Sequence, residues 1–370
     1  MSDAIRIGDV TVPGRVWAAP MTGVSDLPFR RCASRLGAAY VATEMVACAE
    51  LAHGRPDVVR RAAVGEGLPL TVIQLVGRAP EWMAKGAALA ESAGADLIDL
   101  NFGCPAKEVT GALSGSALMR DLELASRLID AAVSATRRPV TLKMRLGWDS
   151  ASQNAPELAV RAEALGVRAI TVHGRTRQQF YSGVADWGAV GAVKRAVRIP
   201  VIVNGDVVHA DSARCALALS GADAVMIGRG LNGRPWAPAM IERALEGRPA
   251  AEPGPQTRFE LVIAHMRESL DFYGDRLGLD MFRKHLGWAI LSAPWPGTSE
   301  ARRAAKARLC RLTTASEMEL GLRDLWLDGQ ATDDMALHSA AAAAGSADMA
   351  SPTMLNSRRR FASCTATVSA

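Results

Sequence analysis

The stretch Val201-Ile202-Val203-Asn204-Gly205-Asp206 decides the fold class. Its first three residues are apolar without alternation, which is typical of a parallel strand covered by side chains on both faces. Its last three are an amide, a glycine and a carboxylate, and polar groups collect at the carboxyl ends of strands in α/β barrel enzymes. The stretch therefore predicts one strand of an α/β fold whose carboxyl end carries function.

Working outward from this stretch, seven more short apolar segments have strand character and alternate with amphipathic segments of helical character. Eight β/α units predict a (β/α)8 TIM barrel. An open, doubly wound sheet is the alternative, but the first strand is not followed by the G-x-G-x-x-G turn of a Rossmann site. The predicted strands are 16–19, 39–43, 70–75, 97–100, 140–143, 169–172, 201–204 and 224–227.

The chain length predicts more than one folded unit, because 370 residues exceed the roughly 250 of a single barrel. A barrel domain is predicted over 1–247, followed by a linker rich in Pro and Gly. Apolar residues then recur at helical spacing, which predicts a small all-α domain over 256–327. The Ala-, Ser- and Asp-rich segment 328–370 is expected to be a disordered, low-complexity tail.

The composition of the sequence indicates the compartment and the kinds of partner to expect. The sequence lacks both an apolar run of the roughly 18 residues that a membrane span needs and an export signal, so no membrane partner is expected. The six cysteines show no C-x-x-C spacing, which favours a reducing cytoplasm. A net charge of +5 is compatible with a polyanionic partner without identifying one.

Polar side chains follow most of the predicted strands. Because all strand ends of a parallel barrel meet at one face, we expect these side chains to surround one cleft. The candidate site residues are Pro20, Met21, Thr22, Gln74, Asn101, Cys104, Lys143, Arg145, His173, Asn204, Gly205, Asp206, Gly228 and Arg229.

The loops after strands seven and eight indicate a phosphate site, since loops at these places in barrels often bind phosphate. Gly205 and Gly228 permit a close approach of the backbone, and Arg229 adds a charged donor. A monophosphate such as that of FMN fits these groups. Lys143 and Gln74 are then placed to donate to the flavin ring, which needs donors when it is reduced.

Cys104 lies in a Gly-Cys-Pro turn just after the fourth strand, where a thiol faces the cleft. A thiol with the ordinary pKa of about 8.5 can donate a proton at neutral pH, so we expect an acid role. Cys32, Cys215 and Cys310 fall on predicted helices and are expected to pack inward.

The histidines outside the strand ends are expected to be structural. His209, His265 and His285 lie on or near predicted helices, and buried histidines in such places are more often satisfied core residues than ligands. No metal centre is therefore expected.

Several short motifs occur in a fixed order along the chain. They are Ala19-Pro20-Met21, Asn101-Phe102-Gly103-Cys104-Pro105, Ser114-Gly115-Ser116-Ala117-Leu118, Leu142-Lys143-Met144-Arg145-Leu146-Gly147-Trp148, His173-Gly174-Arg175-Thr176, Asn204-Gly205-Asp206 and Gly228-Arg229-Gly230-Leu231-Asn232-Gly233-Arg234-Pro235-Trp236. Together they resemble the tRNA-dihydrouridine synthases, and the third and last motifs resemble the bacterial B-type branch. The resemblance spans roughly residues 5–327.

The resemblance implies an FMN barrel that reduces one uridine of the tRNA D-loop, with NADPH or NADH as the reductant. It implies hydride transfer from flavin N5 to C6 of the uracil and protonation of C5 by Cys104. Asn101, Lys143 and Arg145 would orient the base, and His173 would lie beside the flavin. The other candidate residues at the strand ends, together with Lys143, would hold FMN.

The resemblance also implies that the helical domain helps to cradle tRNA. A predicted helix in that domain carries a run of basic residues that we expect to face phosphates. The residues are Arg302, Arg303, Lys306, Arg308 and Arg311. The uridine must leave its stack to enter the barrel mouth, so base extrusion is expected.

Two other functions stay open from the sequence. A dihydroorotate dehydrogenase shares the Asn-x-x-Cys-Pro turn, although a helical domain has no evident use with a small substrate. A non-catalytic tRNA-binding protein is the third possibility, although it leaves Cys104, Lys143 and His173 without a purpose. A monomer is expected, with an oligomer left open, and the sequence does not specify the target uridine or the tRNA set.

Overall fold

A computed structural model describes residues 4–106, 109, 114–292 and 297–328 of the chain. The predicted tail 328–370 lies outside these residues except for Asp328. Among the described helices, none is long and apolar enough to cross a membrane.

Two strands at the start of the chain, β1 (Ile5–Ile7) and β2 (Val10–Val12), form an antiparallel hairpin that the sequence analysis missed. Gly8 makes its turn with φ +62°, a conformation that glycine adopts without steric cost. The hairpin packs with Trp17, Tyr40 and other residues of the barrel interior, and it closes the amino end of the barrel. Strands of only three residues give a weak periodic signal, which explains why the hairpin was missed.

Eight parallel strands follow, in the spatial order β3-β10-β9-β8-β7-β6-β5-β4. A parallel bridge between Ala18 and Val41 joins the first strand to the second and closes the sheet. The prediction of a (β/α)8 barrel is confirmed, and closure excludes the open sheet. The strands are β3 (Val16–Ala18), β4 (Ala42–Ala47), β5 (Val72–Val76), β6 (Leu97–Phe102), β7 (Val140–Arg145), β8 (Ala169–His173), β9 (Val201–Asn204) and β10 (Ala224–Ile227).

The predicted bounds of the second strand were the least accurate. We predicted 39–43, whereas β4 covers Ala42–Ala47 because its main pairing with β5 begins at Ala42 and continues past a register shift to Ala47. Four other strands, β5 to β8, extend one or two residues past their predicted ends. In β7 the added residues are Met144 and Arg145, since pairing with β8 extends to Arg145.

Side chains alternate along each strand between two cores, one inside the barrel and one between the strands and the surrounding helices. In β7, Leu142 and Met144 pack outward against the helices, so Thr141, Lys143 and Arg145 point into the barrel. The surrounding helices are α1 (Leu27–Arg35), α2 (Cys48–Ala52), α3 (Pro56–Arg61), α4 (Pro80–Ser92), α5 (Leu122–Ser134), α6 (Ala155–Ala164), α7 (Trp187–Ala196), α8 (Ala210–Ser220) and α9 (Ala237–Leu245).

Four helices after the barrel bury a separate apolar core, which includes Phe259, Phe282 and Trp326. This domain docks on the barrel through α1, and Tyr273 Oη donates to Asp26 Oδ2 across the contact at 3.1 Å. The helices are α10 (Pro255–Tyr273), α11 (Asp275–Ser292), α12 (Ser299–Leu309) and α13 (Ala315–Arg323).

Candidate active site

A cavity of about 880 Å³ opens at the carboxyl end of the barrel. Its volume lies in the range of small-molecule and cofactor sites. The cavity is lined by every residue that the sequence analysis proposed for the site. They are Pro20, Met21, Thr22, Gln74, Asn101, Cys104, Lys143, Arg145, His173, Asn204, Gly205, Asp206, Gly228 and Arg229.

Strand register explains why these side chains meet. Asn101 on β6 pairs with Lys143 on β7, Arg145 on β7 pairs with His173 on β8, and His173 pairs with Asn204 on β9. Residues paired in register on adjacent strands point to the same face. The inward-facing positions therefore form a continuous polar ring at the cavity floor.

A buried chain of hydrogen bonds begins below this ring at Asp99, which the sequence analysis did not single out. Thr141 Oγ1 donates to Asp99 Oδ1 and Gln74 Nε2 donates to Asp99 Oδ2, both at 2.7 Å. Asn101 Nδ2 then donates to Gln74 Oε1 at 2.8 Å. Asp99 thus fixes which end of the Gln74 amide faces Asn101. A charged residue inside the apolar run Leu97-Ile98-Asp99-Leu100 was the signal that should have marked it.

The chain of hydrogen bonds ends at the cysteine turn. Asn101 Oδ1 accepts from the backbone N–H groups of Gly103 and Cys104 at 3.1 and 2.9 Å. Ser116 holds the other side of the turn, since its N–H and hydroxyl both donate to the Cys104 carbonyl. Gly115 has φ +58°, and an added Cβ would lie 2.9 Å from that carbonyl. The turn is therefore fixed from two sides, with Cys104 partly exposed to the cavity.

Lys143 is the cation at the cavity floor. Its Nζ donates to Asn204 Oδ1 at 3.1 Å, and Asn204 Nδ2 donates to the Met226 carbonyl at 2.8 Å. Burial lowers the pKa of Lys143 to about 8, although the nearby Asp99 carboxyl opposes this shift. The ammonium form still predominates at pH 7, so the floor carries a positive charge next to the cavity.

His173 is neutral at physiological pH because burial, together with the cations Lys143 and Arg145, holds its pKa well below the ordinary value. Arg175 Nη1 lies 3.2 Å from His173 Nε2. A guanidinium only donates, so Nε2 accepts and Nδ1 carries the hydrogen of the neutral ring. Arg175 thus selects the tautomer of His173.

The loops after β8 and β9 are joined by an ion pair that the sequence analysis missed. Arg175 Nη2 lies 2.6 Å from Asp206 Oδ2, and Arg175 is only 1% exposed. Burial alone would raise the pKa of Asp206, but hydrogen bonds from Arg175 and the Ala185 amide hold it below the ordinary value. Arg229 Nη2 lies 3.3 Å from Asp206 Oδ1 at the rim. The carboxylate thus orders the proposed phosphate loop from inside.

Gly205 after β9 and Gly228 after β10 have different reasons to be glycine. Gly205 has φ +112°, and an added Cβ would lie 2.8 Å from Ala185 and 2.9 Å from His173. At Gly228 an added Cβ would have Ala19 and Met21 as its nearest neighbours, both at 3.9 Å. Its backbone lines the cavity. Gly205 is required by the local packing, whereas Gly228 leaves room for a bound group.

Arg145 lines the cavity but also ties its loops together. Its Nε donates to the Gly103 carbonyl, and its Nη1 donates to the Thr176 and Phe180 carbonyls, all at 2.8 Å. The guanidinium lies 5.5 Å from the ring centre of Tyr181. The proposed base-orienting role of Arg145 therefore coexists with a structural one.

Phe180 and Tyr181 form an aromatic pair at the cavity mouth that the sequence analysis did not include. They are 42% and 47% exposed, with ring centroids 5.0 Å apart, and Phe180 has φ +53°. Large exposed rings at the mouth of a cavity are suited to stacking on a ligand. The Gln178-Gln179-Phe180-Tyr181 sequence shows no periodic pattern, so only its position after β8 could have marked it.

The remaining predictions concern cysteines away from the cavity. Cys32 is buried, as predicted, whereas Cys215 and Cys310 are only partly buried against the barrel and helical cores. Cys310 follows the last residue of α12, and the end of a helix covers a side chain less completely than its middle.

Comparison with known proteins identifies the family of the chain. The sequence profile of the dihydrouridine synthase (Dus) family matches residues 17–318. A "Probable tRNA-dihydrouridine synthase" of Rhodobacter capsulatus is 51% identical over 303 residues, covering 81% of this chain and 93% of that protein. The "tRNA-dihydrouridine synthase B" of Pseudomonas putida is 42% identical over 293 residues, covering 79% and 87%.

Solved structures support the fold alone. The 6-hydroxypseudooxynicotine amine oxidase of Pseudomonas geniculata has a TM-score of 0.52 at 14% identity, covering 66% of this chain and 49% of that one. The histamine dehydrogenase of a Rhizobium species has a TM-score of 0.50 at 14% identity, covering 71% and 50%. The profile match and the sequence relatives together show that the chain belongs to the dihydrouridine synthase family, with a B-type synthase among its relatives.

Proposed function

We propose that this chain is a tRNA-dihydrouridine synthase that uses FMN to reduce a D-loop uridine to 5,6-dihydrouridine. The observation that carries the proposal is the single cavity shared by Cys104, Lys143, His173 and the glycine loops after β9 and β10. The barrel over 1–247 would be the catalytic domain, and the helical domain over 256–327 would bind tRNA. NADPH or NADH would be the reductant, and the enzyme would act in the cytoplasm as a monomer.

The residues present fit a flavin mononucleotide. The space beside Gly228 and the ordered Asp206 loop suit a phosphate, with Arg229 as a charged donor at the rim. Lys143 lies at the floor, where its positive charge would stabilise a reduced, anionic flavin ring. Pro20, Met21, Thr22, Gln74 and Asn204 would complete the walls. When bound, the flavin supplies the hydride that reaches C6 of the uracil.

Cys104 would donate the proton that C5 of the uracil receives. The turn that carries it is fixed by Asn101 and Ser116, so the thiol is held without help from the substrate. Lys143 and Arg145 would stabilise negative charge on the uracil oxygen, and Asn101 would orient the base. His173, a neutral ring with Nδ1–H available, would donate a hydrogen bond beside the flavin.

Exposed cations on the helical domain suit contact with RNA phosphates. On and just after α12, Arg303, Arg308 and Arg311 are exposed, while Arg302 and Lys306 are partly buried. A uridine extruded from the D-loop would enter the cavity past the aromatic pair at its mouth.

The test compares dihydrouridine in tRNA from cells that lack the gene and are complemented with wild type, Cys104→Ala or Cys215→Ala. Loss of a general acid typically costs about 10²–10⁴ in rate, so Cys104→Ala should restore little dihydrouridine. Cys215→Ala is the control, because Cys215 lies on α8 away from the cavity. The purified protein should also be yellow.

Full restoration by Cys104→Ala would refute the acid assignment. A colourless protein, with tRNA unchanged by loss of the gene, would refute the enzyme reading and favour a non-catalytic tRNA-binding protein. Turnover of orotate without any effect on tRNA would favour a dihydroorotate dehydrogenase.

A further inference from the structure

Three titratable side chains meet where the helical domain contacts the barrel. Asp26 is the N-cap residue of α1, His265 lies on α10 and His285 lies on α11. One potential ligand atom from each residue lies within 4.8 Å of the other two. The three residues are 4%, 5% and 6% exposed. No metal centre was expected here, because histidines on or near helices are more often satisfied core residues than ligands.

The two histidines present nitrogens that the protein leaves unpaired. Nε2 of His265 and Nε2 of His285 are both buried without a hydrogen-bond partner in the described part of the chain. The rings are surrounded by aromatic groups: His285 stacks on Phe29 at 5.5 Å, and Phe282 meets His265 edge-on at 5.3 Å. Buried polar atoms in native proteins nearly always have a partner, which is a water or an ion where no protein group serves.

The charge state of the cluster suits a cation. Burial lowers the pKa of His265 to about 3 and that of His285 well below its ordinary value, so both rings are neutral. Burial raises the pKa of Asp26 to about 6, although the Phe29 amide opposes this shift. Glu44 nearby raises it further and Lys284 lowers it. Neutral imidazole and ionised carboxylate are the forms that bind metals, and a cation would favour ionised Asp26.

The surroundings also supply outer contacts and space. Phe29 N–H donates to Asp26 Oδ1 at 3.0 Å and Tyr273 Oη donates to Asp26 Oδ2 at 3.1 Å, and such contacts orient a metal-binding carboxylate. A cavity of about 20 Å³ is lined by both His265 and His285. Its volume accommodates one water molecule beside the two imidazoles, although Asp26 does not line it.

We propose that Asp26, His265 and His285 bind a divalent first-row transition-metal ion, zinc in particular, which joins the barrel to the helical domain. Two imidazoles and one carboxylate favour zinc over magnesium or calcium, because those ions prefer sites built from oxygen alone. A tetrahedral zinc ion places its ligand atoms about 3.3 Å apart, so binding needs only a small closure of the three side chains. The ion would fix α10 and α11 against α1.

The experiment measures zinc in the full chain, produced without a polyhistidine tag in zinc-supplemented medium and dialysed before elemental analysis. We expect about one zinc per chain and a melting temperature that falls by about 5 °C when a chelator removes the ion. Asp26→Asn is the main variant, because asparagine also caps helices and should keep α1 intact. It should weaken zinc binding at least tenfold. The double variant His265→Gln with His285→Gln should bind no zinc.

His53→Ala is the matched control, because His53 is exposed at the end of α2 and does not belong to the cluster, so this variant should keep full zinc content. Near-ultraviolet circular dichroism of the purified protein reports correct folding of each variant independently of zinc and of bound flavin. Wild-type protein that takes up no zinc and whose melting temperature does not respond to added zinc would overturn the proposal. Folded Asp26→Asn or double histidine variants that bind zinc as tightly as wild type would also overturn it.

Discussion

The barrel mouth and the junction between the domains both bury polar side chains, but they satisfy them differently. At the mouth, Asp99, Gln74 and Asn101 form a continuous chain in which each amide or carboxylate has a protein partner. At the junction, Nε2 of His265 and of His285 have no protein partner among the described residues. A fully paired network holds its geometry without a ligand, whereas an incomplete one depends on what binds to it. The mouth is therefore preorganised. The histidine nitrogens at the junction instead need a bound group, such as the proposed metal ion, to complete their pairing.

The largest expected effect comes from breaking the paired network with Asp99→Leu. The change leaves Gln74 Nε2 and Thr141 Oγ1 without their acceptor, and each unsatisfied buried group costs about 1–3 kcal/mol. Because Gln74 could then turn its amide, Asn101 and the Cys104 turn would lose their fixed orientation. We expect dihydrouridine formation to fall at least tenfold and stability to fall by about 2–4 kcal/mol.

Urea denaturation and the rate of tRNA modification measure these two effects. Asp130→Leu on the exposed face of α5 is the control and should change neither by more than about 0.5 kcal/mol. A stable Asp99→Leu protein with the wild-type rate would show that the network does not position the cysteine turn.

A smaller effect should come from pH, through Lys143. Burial lowers its pKa to about 8, so the ammonium that faces the cavity loses its proton as pH rises from 7 to 9. If only the charged form binds FMN well, the dissociation constant rises up to about tenfold over this range. Fluorescence titration of the flavin-free protein measures it, and Lys143→Met should bind more weakly with no such step. If the dissociation constant of Lys143→Met still rises between pH 7 and 9, the rise comes from another titrating group.

The smallest effect should come from an ion pair at the junction. Arg35 on α1 contacts Glu268 on α10, with side chains 49% and 23% exposed. Exposed ion pairs contribute about 0–1 kcal/mol, so Arg35→Gln should lower the free energy of unfolding by less than 1 kcal/mol in denaturant titrations. A loss above about 2 kcal/mol would mean that surface charge, and not the buried histidine cluster, dominates the junction.

The barrel and the residues of its site could be predicted from the sequence, because both follow from local patterns. Apolar runs gave the eight strands, and residues at the carboxyl ends of barrel strands converge whatever the loops do. Lys143 and His173 could therefore be placed in one cleft before any contact was known. The actual partners were not predictable in this way, since the pairing of Arg175 with Asp206 depends on how two loops fold over each other.

The junction could not be read from the sequence at all. Asp26, His265 and His285 come from three helices in two domains, and their meeting depends on the docking angle of the helical domain. Helical spacing predicts which face of α10 is apolar but not which barrel helix covers it. Asp99 is a different case, because its charge within an apolar strand was visible and was overlooked.

The hairpin formed by β1 and β2 has a consequence for how the chain is made. Ile5, Ile7 and Val12 bury themselves in the same cluster as Ala224 and Met226 of the last barrel strand. The hairpin therefore depends on partners that are synthesised only at the end of the barrel. Contacts so distant along the chain form late and slowly. The amino end of the barrel can thus close only after β10 has emerged, so the hairpin lacks its partners while the rest of the barrel is being made.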